Sequence, residues 1–177
     1  MKKLILVVII GLLVGTAAFA DHPGFGIGIV GGGGWGGVGT GHAGLSLKIP
    51  GVPVFWGLYF PFYADSHYFA MGVTGDFYFF DSNLVSKDLS NEDGSYKFKL
   101  DWYLGVGGFL SFRTWHGNGD VDFGVRVPVG LSWHIIKQVE LFFGIHPGLG
   151  IHLGNDWWGP VYFQIGGELG LRFWFGA

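Results

Sequence analysis

The side chains of this 177-residue chain that could do chemistry are charged and imidazole groups at every second position of apolar segments. Near the C-terminus, Glu168 and Arg172 lie within GGELGLRFWFGA, between alternating leucines and phenylalanines. Successive side chains of a β-strand point to opposite faces, so each such segment has one apolar face and one charged face. The charged face collects Lys48, Asp76, Lys99, Asp101, Asp122, Arg126, Glu140, Glu168 and Arg172, together with His42, His134, His146 and His152.

Ion pairing is the chemistry that these faces would support inside a small closed sheet. The interior of an eight-stranded barrel is only wide enough for side chains to fill it, and an unpaired charge there is costly. We therefore predict a polar network in the lumen, formed by Lys99, Asp101, Asp122, Arg126, Glu140, His146, Glu168 and Arg172. Within it, Arg126 and Arg172 are expected to meet Glu168, Glu140, Asp122 or Asp101. The alternative for the same face is a narrow conduit for small solutes.

Catalytic and cofactor sites are not favoured. His146 and His152 are six strand residues apart, roughly 20 Å and too far to share a metal ion, although a site shared between strands stays open. The GxGxxG matches GIGIVG and GTGHAG precede no helix, which a dinucleotide site requires. The apolar faces offer no serine or histidine to a lipid substrate. We predict no enzymatic activity, no cofactor and no metal.

The alternation predicts eight strands, an even number that returns both chain ends to one side of a membrane barrel. They cover about residues 24–31, 43–49, 54–63, 68–79, 96–111, 121–134, 139–153 and 161–175. The predicted connections are 31–37, 50–53, 64–67, 81–94, 114–120 and 155–160. The register of 54–66 stays open, because aromatic residues occur on both of its faces.

Composition favours a barrel in a membrane over a soluble sandwich. The chain has 35 Gly and 18 Phe, and only 13% of its residues are charged, against roughly 25% in soluble proteins. The net charge of −3 predicts no nucleic-acid partner. The predicted fold class is all-β, an eight-stranded antiparallel up-and-down transmembrane β-barrel of the outer-membrane type.

The N-terminal segment predicts export. MKKLILVVIIGLLVGTAAFA has two lysines, an apolar run and Ala18-Phe19-Ala20, the pattern of a secretory signal with its cleavage site. We predict a cleaved signal peptide at residues 1–20 and a single barrel domain at residues 21–177. The chain has no cysteine, which excludes a disulfide framework and a lipoprotein anchor.

Two further features concern partners. Trp35, Trp115, Trp157 and Trp158 lie in connections predicted to open on one side, where they would anchor the barrel at the lipid interface or form an adhesive patch. The alternating segment Leu169–Phe175 resembles the C-terminal signal that the outer-membrane assembly machinery recognises.

Several phrases carry a family resemblance. GHAGLSLKIPGVPVFWGLYF, GVTGDFYFFDSNLV, LDWYLGVGG, GVRVPVGLSW and GELGLRFWF are similar to a spirochaetal family of small OmpA-like outer-membrane barrels of unassigned function. The resemblance implies an outer-membrane barrel and, from some relatives, contact with surface or serum proteins of a host.

The function expected is a structural or adhesin-like surface role through short loops, with outer-membrane lipid around the wall. A narrow porin-like channel is the alternative. A soluble lipocalin-like carrier, with the apolar rows turned inward, is the weaker one.

Overall fold

A computed structural model describes residues 24–35, 41–62, 68–91, 94–115, 118–154 and 160–176, and its strands pair antiparallel throughout. The strands are β1 (Phe25–Trp35), β2 (Gly41–Lys48), β3 (Phe55–Phe62), β4 (Tyr68–Asn91), β5 (Gly94–Trp115), β6 (Asn118–Arg126), β7 (Val129–Ile136), β8 (Val139–Leu153) and β9 (Val161–Phe175). The expected all-β antiparallel fold is confirmed. The predicted signal peptide lies outside the described residues.

The strand pairings close into a ring of eight positions. β4, β3, β2, β1, β9 and β8 follow one another, β6 and β7 together fill the next position, and β5 returns to β4. Following paired residues around the ring from Leu171, through Ile29 and Val73, leads back to β9 at Val161, ten residues from the start. A stagger of this size in eight strands corresponds to a strand tilt of ~40° and leaves an interior that side chains can fill.

The two faces of the wall are opposite in character. On β8 and β9, exposed residues such as Leu149 and Leu169 alternate with buried ones such as Glu140 and Arg172. Among the described residues, buried polar and charged side chains outnumber buried apolar ones, and the large apolar side chains lie mostly outside. The distribution is the reverse of a water-soluble core.

Inward glycines make room for the large inward side chains. A Cβ at Gly105 would lie 2.7 Å from the Tyr78 ring, and one at Gly124 would lie 2.7 Å from the Phe109 ring. Similar pairs join the Gly72, Gly130, Gly150 and Gly170 positions to Tyr59, Tyr103, Tyr162 and Phe142. Glycine is thus used where an aromatic ring crosses the face of a neighbouring strand.

The sixth predicted strand is interrupted, so the described residues form nine strands where the sequence predicted eight. The break falls at Val127 and Pro128, because Pro128 has no N–H to donate to the ladder. The ring still continues across the break. The Pro128 carbonyl accepts from the Gly105 N–H at 2.9 Å, and the Val127 N–H donates to the Pro147 carbonyl at 2.9 Å.

Three predicted connections are wrong in part. Gly31–Trp35 belongs to β1, because its backbone pairs with the neighbouring strands β2 and β9. Such pairing does not require an alternation of apolar and polar side chains. Residues 81–91 belong to β4 and pair with β5, and the two strands continue as a two-stranded ribbon where β5 no longer pairs with β7. The segment 114–120 contributes Thr114 and Trp115 to β5 and Asn118–Asp120 to β6. The connections 64–67 and 155–159 lie outside the described residues.

The predicted turn at 50–53 is present and satisfies its own polar groups. The Val52 N–H donates to the Ile49 carbonyl at 3.2 Å, and Gly51 takes a φ of 73°. Lys48 is 3% exposed, and its ammonium donates to the Val52 carbonyl at 2.7 Å and the Ile49 carbonyl at 3.2 Å.

Along the described segments, no helix has the length and apolar character that would let it cross a membrane.

Candidate functional site: the ion-paired interior

An arginine–glutamate pair lies at the centre of the interior. Arg172 on β9 donates through Nη1 to Glu140 on β8 at 2.7 Å, and both side chains are 3% exposed. Glu140 also accepts from Ser132 at 2.7 Å and from the Trp174 indole at 2.7 Å. The remaining Arg172 donors reach Ser46 at 2.8 and 3.2 Å. Both ions are thus held by several hydrogen bonds, which a buried ion pair needs.

Aromatic rings fill the space around this pair. The Arg172 guanidinium lies 4.4 Å from the Phe142 ring centre and 4.8 Å from the Phe55 ring centre. Phe55, Tyr78 and Tyr103 form a continuous stack with ring centres 4.5 Å apart at each step. The Tyr103 hydroxyl donates to the Phe143 carbonyl at 3.2 Å. The rings and the ion pair together form a layer across the interior.

Arg126 pairs with a residue that the predicted set of partners omitted. Its Nε donates to Asp76 Oδ1 at 2.8 Å, and its Nη2 reaches the second oxygen of the same carboxylate. The expectation that Arg126 meets Glu168, Glu140, Asp122 or Asp101 is therefore wrong. The alternation placed Asp76 on the inner face, but its partner depends on the registers of β4 and β6 against β5, which bring Asp76 and Arg126 level with Gly107.

Glu168 faces a histidine and a cavity. His146 Nε2 lies 3.2 Å from Glu168 Oε1, a contact that is ionic only when the histidine is protonated. A cavity of about 90 Å³ lies beside them and is also lined by His42, Tyr59 and Arg126. A smaller cavity of about 20 Å³, which Arg126 and Glu168 also line, extends toward Arg172. The interior is thus filled at the Arg172 layer and partly hollow at the Glu168 level.

A second polar group lies toward the end of the ring where β5 and β6 meet. Asp122 Oδ1 lies 2.8 Å from His152 Nδ1, and Arg113 contacts Asp120 at 3.3 Å and His152 at 3.4 Å. Asp122 was predicted in the network. Asp120 was missed because it lay in a segment predicted to be a loop.

The third polar group lies at the opposite end of the ring. Asp101, 1% exposed, contacts Lys99 at 2.9 Å, His134 at 3.6 Å and the Asn83 amide at 3.0 Å. The Lys99 side chain is 47% exposed, so this pair lies at the border with solvent. Asn83 was missed, since its segment was predicted as a polar connection.

The structure thus places the eight predicted network residues on the inner face in three separate groups. Arg172 meets Glu140, and Lys99 meets Asp101. Asp122 contacts His152, and His146 contacts Glu168. Ser46, Ser132 and Trp174 complete the central group. Their only signal in the sequence is strand parity, which gives the face but not the partner.

The four tryptophans of the predicted patch are only partly described. Trp35 is the last residue of β1 and is 70% exposed. Trp115 ends β5, which places its backbone at the same end of the ring. Trp157 and Trp158 lie outside the described residues.

In the segments that the structure covers, no three His, Asp or Glu side chains are grouped as a metal site requires.

Comparisons with known proteins give two similar solved structures. The crystal structure of Neisserial surface protein A (NspA) is 15% identical, with a TM-score of 0.48, and covers 86% of this chain and 97% of that one. Ail, the attachment invasion locus protein of Yersinia pestis, is 11% identical, with a TM-score of 0.34 and the same coverage. No family model matches the chain, and no curated protein matches it.

Proposed function

We propose that this chain is an integral outer-membrane β-barrel with a packed, ion-paired interior and a structural or adhesin-like role at the cell surface. The observation that carries the proposal is the inverted wall, with apolar side chains outside and charged side chains inside. Ile29, Val125 and Leu169 are 64%, 58% and 56% exposed, while Arg172 and Glu140 are 3% exposed. Such a surface needs hydrocarbon around it, since a soluble monomer rarely exposes large continuous apolar areas.

Closure of the ring supports the same environment. Unpaired backbone N–H and C=O groups are costly in hydrocarbon, and a closed ring gives each strand a neighbour on both sides. The pairing β4–β5 joins the two ends of the strand order. A lipocalin-like carrier would need the apolar rows inside, and it is disfavoured by the same observation.

The surface role depends on the ends of the strands. β1 and β2, like β3 and β4, are joined by only five residues each, 36–40 and 63–67. Trp35 at the end of β1 presents an exposed indole beside the first of these connections. We propose that the chain belongs to the spirochaetal OmpA-like family, because of the sequence segments given above. We also propose that the outer-membrane assembly machinery recognises Leu169–Phe175. The cleaved signal peptide at 1–20 supplies export.

Detergent partitioning tests the membrane proposal. The full-length chain expressed in a Gram-negative host is expected in the outer-membrane fraction, resistant to alkaline carbonate, and in the detergent phase of a cloud-point separation. Recovery in the aqueous phase as a folded monomer would contradict it.

The channel alternative is tested by conductance. Because Arg172, Glu140 and the Phe55–Tyr78–Tyr103 stack fill one layer of the interior, the refolded protein is expected to give no steady single-channel current in planar bilayers. A porin in the same bilayers is the positive control. Reproducible steps from the refolded protein would favour the conduit.

A further inference from the structure

The cavity beside Glu168 is a part of the described interior where polar side chains surround substantial space. It has a volume of about 90 Å³, and Gly34 and Pro61, near the ends of β1 and β3, form part of its lining. By this measure one water needs ~10–15 Å³, so the cavity admits several waters or one head group of a few heavy atoms. It lies at the Trp35 end of the ring.

The charge balance of the cavity is negative. Among the described residues that line it, Arg126 and Glu168 are the only ones with a formal charge. Arg126 directs two nitrogens at Asp76, so its positive charge is matched outside the cavity. The neighbour of Glu168 is His146, whose Nε2 is 3.2 Å away but makes no hydrogen bond in the described structure. Within the part of the chain that the structure describes, the Glu168 carboxylate thus forms no ion pair with a lysine or an arginine.

The other lining groups suit a small planar or tetrahedral cation. Gln164, Thr74 and the Tyr59 hydroxyl offer uncharged oxygen acceptors around the same space. The rings of Tyr59 and His42 lie 5.4 Å apart and provide an aromatic wall, which favours a cation further.

We propose that this cavity binds a primary ammonium or guanidinium group, with Glu168 as its counter-charge. The source of the group is either a free small amine or a lysine or arginine side chain that a partner protein inserts. The proposal rests on the proposed surface role, which brings such a partner to the Trp35 end of the ring. Anionic molecules of the same size are repelled by the Glu168 carboxylate, and neutral molecules are expected to bind more weakly because they gain no ionic attraction.

Titration of the ¹⁵N-labelled, refolded protein in micelles at pH 8 tests the proposal. Methylguanidinium is expected to shift the Gly33 and Gly166 amide signals saturably, whereas urea and acetate are not. Glu168→Gln is expected to weaken binding about ten-fold or more. Asp122→Asn is the matched control, because Asp122 is a buried carboxylate that does not line the cavity; its binding should stay within about two-fold.

A second variant keeps the test valid where Glu168→Gln does not fold. Gly166→Leu fills the cavity without a change of charge, since a Cβ there meets nothing closer than His146 at 3.7 Å, and it should abolish binding. A blocked Gly-Arg-Gly peptide that binds more tightly than methylguanidinium identifies a partner side chain, and weaker binding identifies a free amine.

Three results would overturn the proposal: no saturable shift up to about 100 mM methylguanidinium, equal binding of urea, or unchanged binding in both variants. None of them affects the membrane proposal, because partitioning is measured independently.

Discussion

The Arg172–Glu140 pair shows how a charge is accommodated inside the ring. Glu140 accepts from Arg172, Ser132 and Trp174, all within 2.7 Å. Removal of one ion leaves the other buried and uncompensated, which typically costs several kcal/mol. Because taking both ions out of water is costly, the pair as a whole is expected to add little net stability.

Arg172→Ala is therefore expected to lower the free energy of unfolding by about 3–5 kcal/mol. The double variant Arg172→Met with Glu140→Leu should lose less, because no lone charge remains. Equilibrium urea unfolding in lipid vesicles, followed by tryptophan fluorescence, measures both. If the double variant lost more free energy of unfolding than Arg172→Ala, the ion pair itself would add net stability, and the explanation by an uncompensated charge would be wrong.

The glycine positions under aromatic rings give a prediction at the same scale. A Cβ at Gly170 would overlap the Phe142 ring and lie 2.7 Å from the Ile29 carbonyl oxygen. Gly170→Ala is expected to cost about 1–3 kcal/mol through forced displacement of the ring. Gly166→Ala on the same strand and face is the control, with its nearest contact at 3.7 Å. Equal losses in the two variants would mean that displacement of the Phe142 ring is not responsible.

Sequence reasoning at the residue scale gives the face of a side chain but not its partner. Parity places Arg126 and Arg172 inside, and the structure agrees. Arg126 meets Asp76, fifty residues away, because both are level with Gly107 on the strand between them, where no side chain intervenes. No local pattern encodes the registers of β4 and β6 against β5.

Among the elements, the β4–β5 ribbon differs most from expectation. β5 pairs with β7 only as far as Lys99, while its pairs with β4 continue to Gly94. Register shifts between Tyr78 and Phe80 and between Asn83 and Val85 mark bulges, which twist an edge and discourage pairing with other chains. The segment was predicted as a loop because its faces lose the apolar alternation once it leaves the wall.

The end of this ribbon is expected to be dispensable for the ring. Replacing residues 89–96 by Asn-Gly keeps the backbone pairing of position 88 with position 97 and joins the two strands by a two-residue turn. The shortened protein should still migrate as a folded, heat-modifiable species on unheated gels. Loss of that species would show that the ribbon takes part in ring closure.

β8 and β9 were predicted with the bounds observed, 139–153 and 161–175, and β1 and β6 were not. The difference has a physical reason. Long apolar rows that face the outside of a wall leave a strict period of two, whereas Gly31–Gly34 have no side chains to pattern. Pro128 removes one ladder donor, and the wall continues around it.

For the whole molecule, the central claim is that the exposed apolar face meets lipid and the charged face meets the interior. The chain has no cysteine, so single-cysteine variants can be spin-labelled without background. Val125→Cys and Leu169→Cys sample the outer face. Gln164→Cys, in the cavity lining, and Lys99→Cys, at the solvent border, sample the inner face.

The most direct measurement is the accessibility of these four labels to oxygen and to a water-soluble nickel chelate in lipid vesicles. The outer labels are expected to be relaxed by oxygen and protected from nickel, and the inner labels to show lower oxygen accessibility than the outer pair. Nickel-accessible labels at Val125 and Leu169, with the label at Gln164 in contact with lipid, would contradict the account.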